Sequence, residues 1–348
     1  MLHHRLVVAM LVVTACTLTA SAADVRDYLD RPETWHRGEE GRRIAANVLS
    51  HQSAAGSWAK NTDTASKPFE GDRAGIRGTF DNGATIGELT FLARAFRAAQ
   101  DDAYRRGFLL GLDHVLRAQY PNGGWPQFYP PEEGYGRHIT FNDETMVRLM
   151  RFLREVATAE GYAFVDEDRR DVAGGAFERG VECILKCQVR VEGKLTAWCA
   201  QHDEVTLEPR PARSYELVSL SGSESVGIVR LLMSIEEPSP EVIDAVDAAV
   251  AWLEAAKLTG IRVDRVPDAA APKGTNKVVV KDAGAPPMWA RFYEIGTNRP
   301  MYVDRDGVVK WNLADIGYER RNGYGWLGTW GQRLIDEEYP AWKRRLGR

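Results

Sequence analysis

The chain has 348 residues, of which 44% are apolar and 27% are charged, and it carries a formal net charge of −4 with an isoelectric point near 6.0. This is the composition of an ordinary globular protein, long enough for one large domain or two small ones. The slight overall acidity gives no general attraction to nucleic acid or to an anionic membrane, so an acidic partner would have to meet a local basic patch. We therefore expect no nucleic-acid partner.

Residues 1–22 have the features of a secretory signal peptide. A short basic start and an apolar run ending at Val13 precede Ala20-Ser21-Ala22, a small-residue cleavage site. We expect export to the periplasm or the medium, with residues 23–348 forming a single domain. A lipoprotein anchor at Cys16 is the less favoured alternative, because a threonine stands before the small residue of that site. No later segment approaches the roughly 20 apolar residues of a membrane span.

Three cysteines remain after such a cleavage: Cys183, Cys187 and Cys199. An odd number in an oxidising compartment allows at most one disulfide. Cys183 and Cys187 have the spacing of a metal-binding pair, but no further Cys or His stands near them in the sequence. We expect buried free thiols.

Internal similarity indicates a repeated unit. Gln52 to Trp58 and Gln119 to Trp125 share the frame Gln-x-x-x-Gly-x-Trp and lie 67 residues apart, and Gln188 to Trp198 is a looser copy. Each copy follows a segment with helical apolar spacing, so the glycine can end the helix and the tryptophan can cover its end. We expect Trp58 and Trp125 to be core residues rather than ligand platforms.

Amphipathic runs fill the intervals between these turns, for example Met146, Leu149, Met150 and Leu153. Helix pairs that recur at a period near 70 residues predict a mainly α fold, an α/α toroid or incomplete α/α barrel with long loops and a few short β-strands. Residues 59–80 are predicted to form a long loop. Lys277 to Val280 and a hairpin around Asp306-Gly307 supply the predicted strands. The start of a calcium loop at Asp304 lacks its downstream Glu, so a hairpin turn is favoured there.

Two similar turns carry the first candidate functional residues. Asp81-Asn82 and Asn142-Asp143 both follow a Thr-Phe pair, and both precede a helical run. Each could cap its helix by accepting hydrogen bonds from backbone N–H groups. The duplication favours a second interpretation, in which hard oxygen ligands meet at the beginnings of two equivalent helices and bind a divalent cation, with water or a substrate carboxylate completing its coordination.

Arginines in two loops carry the second set of candidates. Arg210 and Arg213 lie among prolines in a stiff segment, and Arg291 follows Trp289 before Arg299 and Arg305. Surface ion pairs and core packing of the aromatic residues remain alternatives. Guanidinium groups beside aromatic rings suit sugar rings that carry carboxylates.

Together these segments resemble the family 10 polysaccharide lyases, the secreted bacterial pectate lyases. The matching stretches are Gln52 to Asn61, Thr79 to Phe96, Asn122 to Pro130, Ile139 to Leu153, Pro211 to Ser225, and Ala290 to Gly307. They cover nearly all of the mature chain. The resemblance implies an α/α toroid that cleaves polygalacturonate by calcium-assisted β-elimination, as a monomer.

The resemblance also implies roles for individual residues. Asp81 and Asp143 are the expected metal ligands, and Asp143 together with Arg213 is expected to be catalytic, with Arg213 as the base. The residues expected to bind substrate are Arg210, Arg291, Arg305, Asn82 and Lys60. The sequence departs from the family at Ala54 to Ala59, where an Asn-Gly-Gly-Trp-Pro segment is usual. Arg210 lies so close to Arg213 that it is the second candidate for the base.

Two other functions remain open from the sequence. A non-catalytic uronate-binding protein would keep the carboxylate-binding arginines without a working base. The Gln-x-x-x-Gly-x-Trp frame also occurs in triterpene cyclases, although an exported chain without an Asp-rich initiating segment fits that class poorly.

Overall fold

The computed structural model describes residues 24–348. The predicted signal peptide and Cys16 lie outside this range. Within it the α-helices are α1 (Glu33–Arg37), α2 (Glu39–Ser50), α3 (Ile86–Ala99), α4 (Asp102–Arg117), α5 (Thr145–Thr158), α6 (Glu167–Cys187), α7 (Glu224–Met233), α8 (Pro240–Ala256), α9 (Tyr318–Gly323) and α10 (Tyr339–Arg345). None of these helices is both long enough and apolar enough to cross a membrane.

The strands are short and pair antiparallel in six two-stranded sheets across the described residues. They are β1 (Ile139–Thr140), β2 (Arg190–Val191), β3 (Lys194–Leu195), β4 (Gln201–His202), β5 (Leu220–Ser221), β6 (Ile261–Pro267), β7 (Thr275–Lys281), β8 (Trp289–Ala290), β9 (Phe292–Tyr293), β10 (Tyr302–Val303), β11 (Val309–Lys310) and β12 (Leu327–Gly328). The pairs are β1–β4, β2–β3, β5–β9, β6–β7, β8–β12 and β10–β11.

The helices form two layers, as an α/α toroid requires. Helices α3, α5 and α7 contact one another in chain order, and each packs against the helix that follows it, which gives an outer row of α4, α6 and α8. The apolar stripe of α5 explains its position, because Met146, Leu149, Met150 and Leu153 are all fully buried. The predicted helix-pair architecture is confirmed.

The repeated glutamines join successive outer helices. Gln52 Nε2 donates to the Gly107 carbonyl of α4 at 2.8 Å, and Gln119 Nε2 donates to the Ala176 carbonyl of α6 at 2.8 Å. Gln188 Nε2 donates to the Ala245 carbonyl of α8 at 2.9 Å, although its own sequence copy is irregular. The side-chain amides therefore bind the outer row together at a regular interval.

The repeated tryptophans cover the ends of the outer helices and are fully buried, as predicted. The indole N–H groups of Trp58, Trp125 and Trp198 donate to the Val48, Val115 and Ile184 carbonyls at 2.7 to 3.0 Å. A fourth tryptophan, Trp289, donates to the Leu253 carbonyl at 2.8 Å. The β6–β7 hairpin lies between α8 and Trp289, and this insertion obscures the fourth unit in the sequence.

The remaining predictions about elements agree with the structure. Residues 59–80 form a loop that contains one short 3₁₀ turn, Arg73–Gly75. Lys277 to Val280 lie in β7, and β10 and β11 form the hairpin around Asp306-Gly307. The cysteines Cys183, Cys187 and Cys199 are free and buried.

Candidate active site

A cavity of about 310 Å³ lies where the inner helices α3, α5 and α7 begin. It is lined by residues from all four tryptophan units: Asn82, Asp143, Glu144, Arg148, Ser223, Glu224, Val226, Gly227, Arg230, Arg291 and Trp330. Three of these side chains are acidic and three are arginines, so the cavity can bind both a cation and an anion.

The tryptophan turns position the cavity residues. The backbone carbonyls of Trp58, Trp125 and Trp198 accept from the N–H groups of Thr79, Thr140 and Ser221 at 2.8 to 3.1 Å. Each acceptor thereby fixes the first residue of a short segment that leads into an inner helix. Asn82, Asp143 and Glu224 are the fourth residues of these three segments, and the repeat therefore brings them together.

The capping interpretation of the two acidic turns is wrong. Asp81–Gly83 and Asn142–Glu144 form separate 3₁₀ turns, and the residues that precede α3 and α5, Thr85 and Glu144, make no side-chain cap hydrogen bond. Asn82 and Asp143 have φ values of 53° and 50°, a left-handed conformation that Asn and Asp tolerate better than most residues. The two turns contact each other, so their polar side chains are free of a capping role.

Asp81 lies beneath the cavity rather than in its lining. Its side chain is 4% exposed and forms an ion pair with Lys60. Its Oδ2 also accepts from Gln127 Nε2 at 2.6 Å, and its Oδ1 accepts from the Asn82 backbone N–H at 2.8 Å. Asp81 therefore holds the Asn82 turn in place, and Lys60 serves as its counter-ion.

Arg291 extends into the cavity between two carboxylates. Its Nη2 lies 2.8 Å from Asp143 Oδ1 and 2.5 Å from Glu224 Oε1, and it lies 3.2 Å from Asn142 Oδ1. Burial by itself would lower the pKa of Arg291, but the charges of Glu224 and Asp143 raise that pKa above its usual value. The guanidinium is therefore a fixed cation beside the Asp143 carboxylate.

Arg213 joins this region through a shared aromatic ring. Its guanidinium carbon lies 5.9 Å from the centre of the Tyr324 ring, and that of Arg291 lies 5.0 Å from the same centre. Arg213 is also paired with Glu216, with Nε 2.7 Å from Oε2 and Nη2 bonded to Oε1. The hydrogen bonds that Arg213 donates to Glu216 raise the pKa of Arg213 above its usual value, which favours the protonated guanidinium.

Arg210 and Arg305 do not line the cavity, and neither does Arg213, although Arg213 shares the Tyr324 ring with Arg291. Arg210 Nη2 lies 2.7 Å from Asp203 Oδ2, on the loop that follows β4. Arg305 is 64% exposed and pairs with Glu319, although its guanidinium carbon is 5.8 Å from the Tyr215 ring centre. The structure thus separates Arg210 from Arg213, which the sequence spacing could not do.

A second group of possible metal ligands lies near Arg210. One ligand atom from each of His138, Asp203 and Glu204 lies within 4.8 Å of the others. Glu204 already pairs with Arg137 and with His138 Nδ1, and Asp203 pairs with Arg210. Because two arginines already neutralise these carboxylates, the cluster suits loop anchoring better than a cation.

The oxygen donors of the main cavity fit a hard divalent cation. Asn82, Asp143, Glu144, Ser223 and Glu224 present amide, carboxylate and hydroxyl oxygens without a cysteine or histidine among the cavity's lining residues. Ca²⁺ prefers such all-oxygen coordination. Asp143 is 37% exposed at its side chain, so an ion bound there could also reach a substrate.

Most of the residues in and around this cavity were not assigned to a site from the sequence. Among them are Gln127, Glu216, Glu224, Tyr324 and the lining arginines Arg148 and Arg230. Glu224 could have been found by extending the repeat past Trp198, since Ser221 to Glu224 occupies the position of the two acidic turns. Gln127 and Glu216 lie within segments already singled out, but no spacing shows which way their side chains point. Tyr324 had no sequence signal.

Comparisons with known proteins agree with this geometry. The Pectic acid lyase family matches residues 52–335. Two similar solved structures are both of a family 10 polysaccharide lyase from Cellvibrio cellulosa, each 35% identical with a TM-score of 0.77. One, a mutant in complex with trigalacturonic acid, matches over 93% of this chain and 97% of its own. The other matches over 95% of this chain and 98% of its own. No curated protein matches the chain.

The fold is a toroid of helix pairs, and its inner helices begin at a cavity of carboxylates and arginines. Together with the comparisons, this fold defines a polysaccharide lyase. The chain belongs to the pectic acid lyase family, the family 10 polysaccharide lyases. This membership excludes a triterpene cyclase and a protein that only binds uronates.

Proposed function

We propose that the chain is an exported lyase that cleaves polygalacturonate by β-elimination with help from calcium. The observation that carries this proposal is the placement of Asp143 beside Arg291 in a cavity that also contains Asn82. The trigalacturonic acid bound to the similar Cellvibrio cellulosa lyase supports the substrate class. Residues 1–22 supply the export signal in this proposal.

The cavity residues divide into a group that would bind the cation and a group that binds the uronate carboxylate directly. Asn82 and Asp143 would hold the calcium ion, and Asp81 fixes the Asn82 turn. To act as a direct ligand, Asp81 would first have to exchange its contact with Lys60. Calcium supplies positive charge next to the substrate carboxylate, which stabilises the negative charge that develops there. Arg291 donates hydrogen bonds to the same carboxylate and keeps it oriented.

The elimination itself requires a base close to carbon 5 of the uronate. Arg213 removes the proton from carbon 5, the electron pair of that C–H bond forms the double bond to carbon 4, and the bond from carbon 4 to the glycosidic oxygen breaks. Water returns a proton to the departing oxygen. A guanidinium must lose a proton before it can accept one, so we expect the activity to rise in alkaline solution.

Two neighbouring arginines allow a matched test of the base. Arg213→Ala should abolish the growth of ultraviolet absorbance from unsaturated product, while binding of oligogalacturonate to the variant persists. Arg210→Ala removes a side chain three residues away that pairs with Asp203 outside the cavity, and it should stay within about threefold of the parent rate. Unchanged activity of Arg213→Ala, or a greater loss in Arg210→Ala, would move the base away from Arg213.

A further inference from the structure

Glu216 is the immediate partner of the proposed base. Its side chain is 6% exposed, and both of its oxygens contact the Arg213 guanidinium. The Arg213 backbone N–H also faces Glu216 Oε2 at 3.3 Å. A carboxylate in this position stabilises the protonated guanidinium, which opposes the role of a base.

Tyr324 contacts the same carboxylate from the other side. Its hydroxyl donates to Glu216 Oε1 at 2.6 Å, the oxygen that also accepts from Arg213 Nη2. The centre of the Tyr324 ring lies 5.9 Å from the guanidinium carbon of Arg213 and 5.0 Å from that of Arg291. Tyr324 therefore contacts Glu216, the partner of the proposed base. Its ring also lies next to both Arg213 and Arg291.

Other charged and titratable groups surround Arg213. Arg320 lies over the rings of Tyr215 and Tyr324 and pairs with Glu319, which also binds Arg305. Tyr215 lies under Arg213, with a ring centre 4.9 Å from its guanidinium carbon. The charged and titratable groups that face Arg213, Glu216 or Tyr324 from neighbouring elements are Tyr215, Arg291, Arg320 and Glu224. Arg305 and Glu319 lie one contact further out, against Tyr215 and Arg320.

We propose that Glu216 and Tyr324 are positioning residues that set the protonation and the orientation of Arg213. In this arrangement the Tyr324 hydroxyl weakens the ion pair between Glu216 and the guanidinium. This inference rests on the proposed function, because it assigns a control to the same base. The hydroxyl donates to an oxygen that Arg213 also uses, so it withdraws negative charge from that contact. Without the hydroxyl, Glu216 would bind the arginine more strongly.

Substitutions of the two residues should therefore shift the pH dependence of kcat in opposite directions. Tyr324→Phe keeps the ring and removes the hydroxyl, so the pH at which kcat reaches half of its maximum should rise by roughly half a unit to one unit. Glu216→Gln keeps the size and removes the charge, so this midpoint should fall by about one unit or more. KM should change less than kcat in Tyr324→Phe, because the hydroxyl does not line the cavity.

Tyr302→Phe is the matched control, because Tyr302 is buried in the same aromatic cluster but packs against Trp326 rather than Glu216. It should leave the midpoint of the pH profile unchanged. Glu216→Asp keeps the charge with a shorter reach and serves if Glu216→Gln does not fold; it should lower kcat without lowering the midpoint. Opposite shifts in Tyr324→Phe and Glu216→Gln support the inference. Shifts in the same direction, or no shift in either variant, would overturn it.

A second measurement separates this inference from the proposed function. The hydrogen exchange of the Arg213 Nε–H, followed by ¹⁵N NMR, should be at least about threefold slower in Tyr324→Phe than in the parent and in Tyr302→Phe, since Glu216 binds it more strongly. If the parent makes no unsaturated product, the proposed function fails and the exchange rates still decide the inference. Equal exchange rates in all three proteins would contradict it.

Discussion

At the scale of single residues, Arg291 shows how strongly its surroundings fix a cation. It is 12% exposed at its side chain, and its Nη2 is shared between Asp143 and Glu224. Lysine could place a positive charge there, but it lacks the planar fork that can face two acceptors at once. The identity of this arginine should therefore matter more than its charge.

We predict that Arg291→Lys lowers kcat/KM on polygalacturonate by roughly 100-fold or more, the size of effect seen when an oriented donor to a developing negative charge is removed. Initial rates of product absorbance at several substrate concentrations would measure it. Arg299→Lys is the control, because Arg299 stacks on Trp311 at 3.8 Å outside the cavity. Equal effects of the two substitutions would remove Arg291 from the site.

A buried carboxyl group on α3 gives a prediction about stability. Glu88 is 6% exposed, and its Oε2 has no hydrogen-bond partner. Burial raises the pKa of Glu88 to about 7 from a usual value of 4.5. The folded protein therefore binds this proton more tightly than the unfolded chain does, and stability from this group, complete below pH 4.5, is lost as the pH rises towards 7.

Glu88→Gln should abolish this loss and so increase the free energy of unfolding at pH 8 relative to the parent, by at most about 3 kcal/mol. At pH 4 the difference should largely vanish. Urea unfolding at the two pH values measures it, with the exposed Glu182→Gln as the control. A variant that is equally destabilised at both pH values would show that Glu88 is not protonated on folding.

Some residues of the site could be placed from the sequence alone, and others could not. The duplicated Thr-Phe turns identified Asn82 and Asp143, because a repeat places equivalent residues at equivalent points of the fold. The choice between Arg210 and Arg213 depended on the direction of a proline-rich loop, and only the folded structure shows that Arg210 turns towards Asp203. Contacts such as Tyr324 with Glu216 join residues 108 positions apart, which no local pattern records.

At the scale of elements, the glutamine contacts determine how the helix pairs are joined. Gln52 is 2% exposed, and its amide donates to two carbonyls, those of Gly56 and Gly107, at 3.1 and 2.8 Å. These bonds were not predictable from the glutamine alone, although its recurrence indicated a structural role. The fourth unit has Lys257 at the corresponding place, and the β6–β7 insertion follows it in the chain.

Gln52→Met, which keeps a similar side-chain length, should leave both carbonyls without this donor and lower the free energy of unfolding by about 2 to 4 kcal/mol. Chemical denaturation measures the change. Gln332→Met, at a position outside the repeat, should cost less than about 0.5 kcal/mol. If the two variants were equally stable, the glutamine contacts would not hold the outer helices together.

At the scale of the whole molecule, the distribution of charge predicts the preferred substrate. The net charge is negative, so an acidic polymer is attracted only where arginines are concentrated. Arg148, Arg230 and Arg291 all line the cavity. Activity should therefore depend on free carboxylates in the substrate, since each one can form charge-assisted hydrogen bonds with these groups.

Highly methyl-esterified pectin should be cleaved with a kcat/KM at least about 10-fold below that of polygalacturonate, because each ester removes the charge that Arg291 and the cation would bind. Parallel assays of both polymers under identical ionic conditions measure the ratio. De-esterification of the same pectin sample should restore the rate and serves as the control. Equal rates on both polymers would contradict carboxylate recognition.

The most direct test of a shared calcium and substrate site is product formation by the parent and by Asp143→Asn on polygalacturonate, with chelator and after addition of calcium. Asp143→Asn keeps an oxygen donor but removes the charge that pairs with Arg291. We predict that the parent forms unsaturated product, loses this activity with chelator and regains it with calcium. Asp143→Asn should lose at least about 100-fold in rate and require more calcium. Full activity of the parent in chelator, or of Asp143→Asn without added calcium, would contradict the convergence of cation and substrate at this cavity.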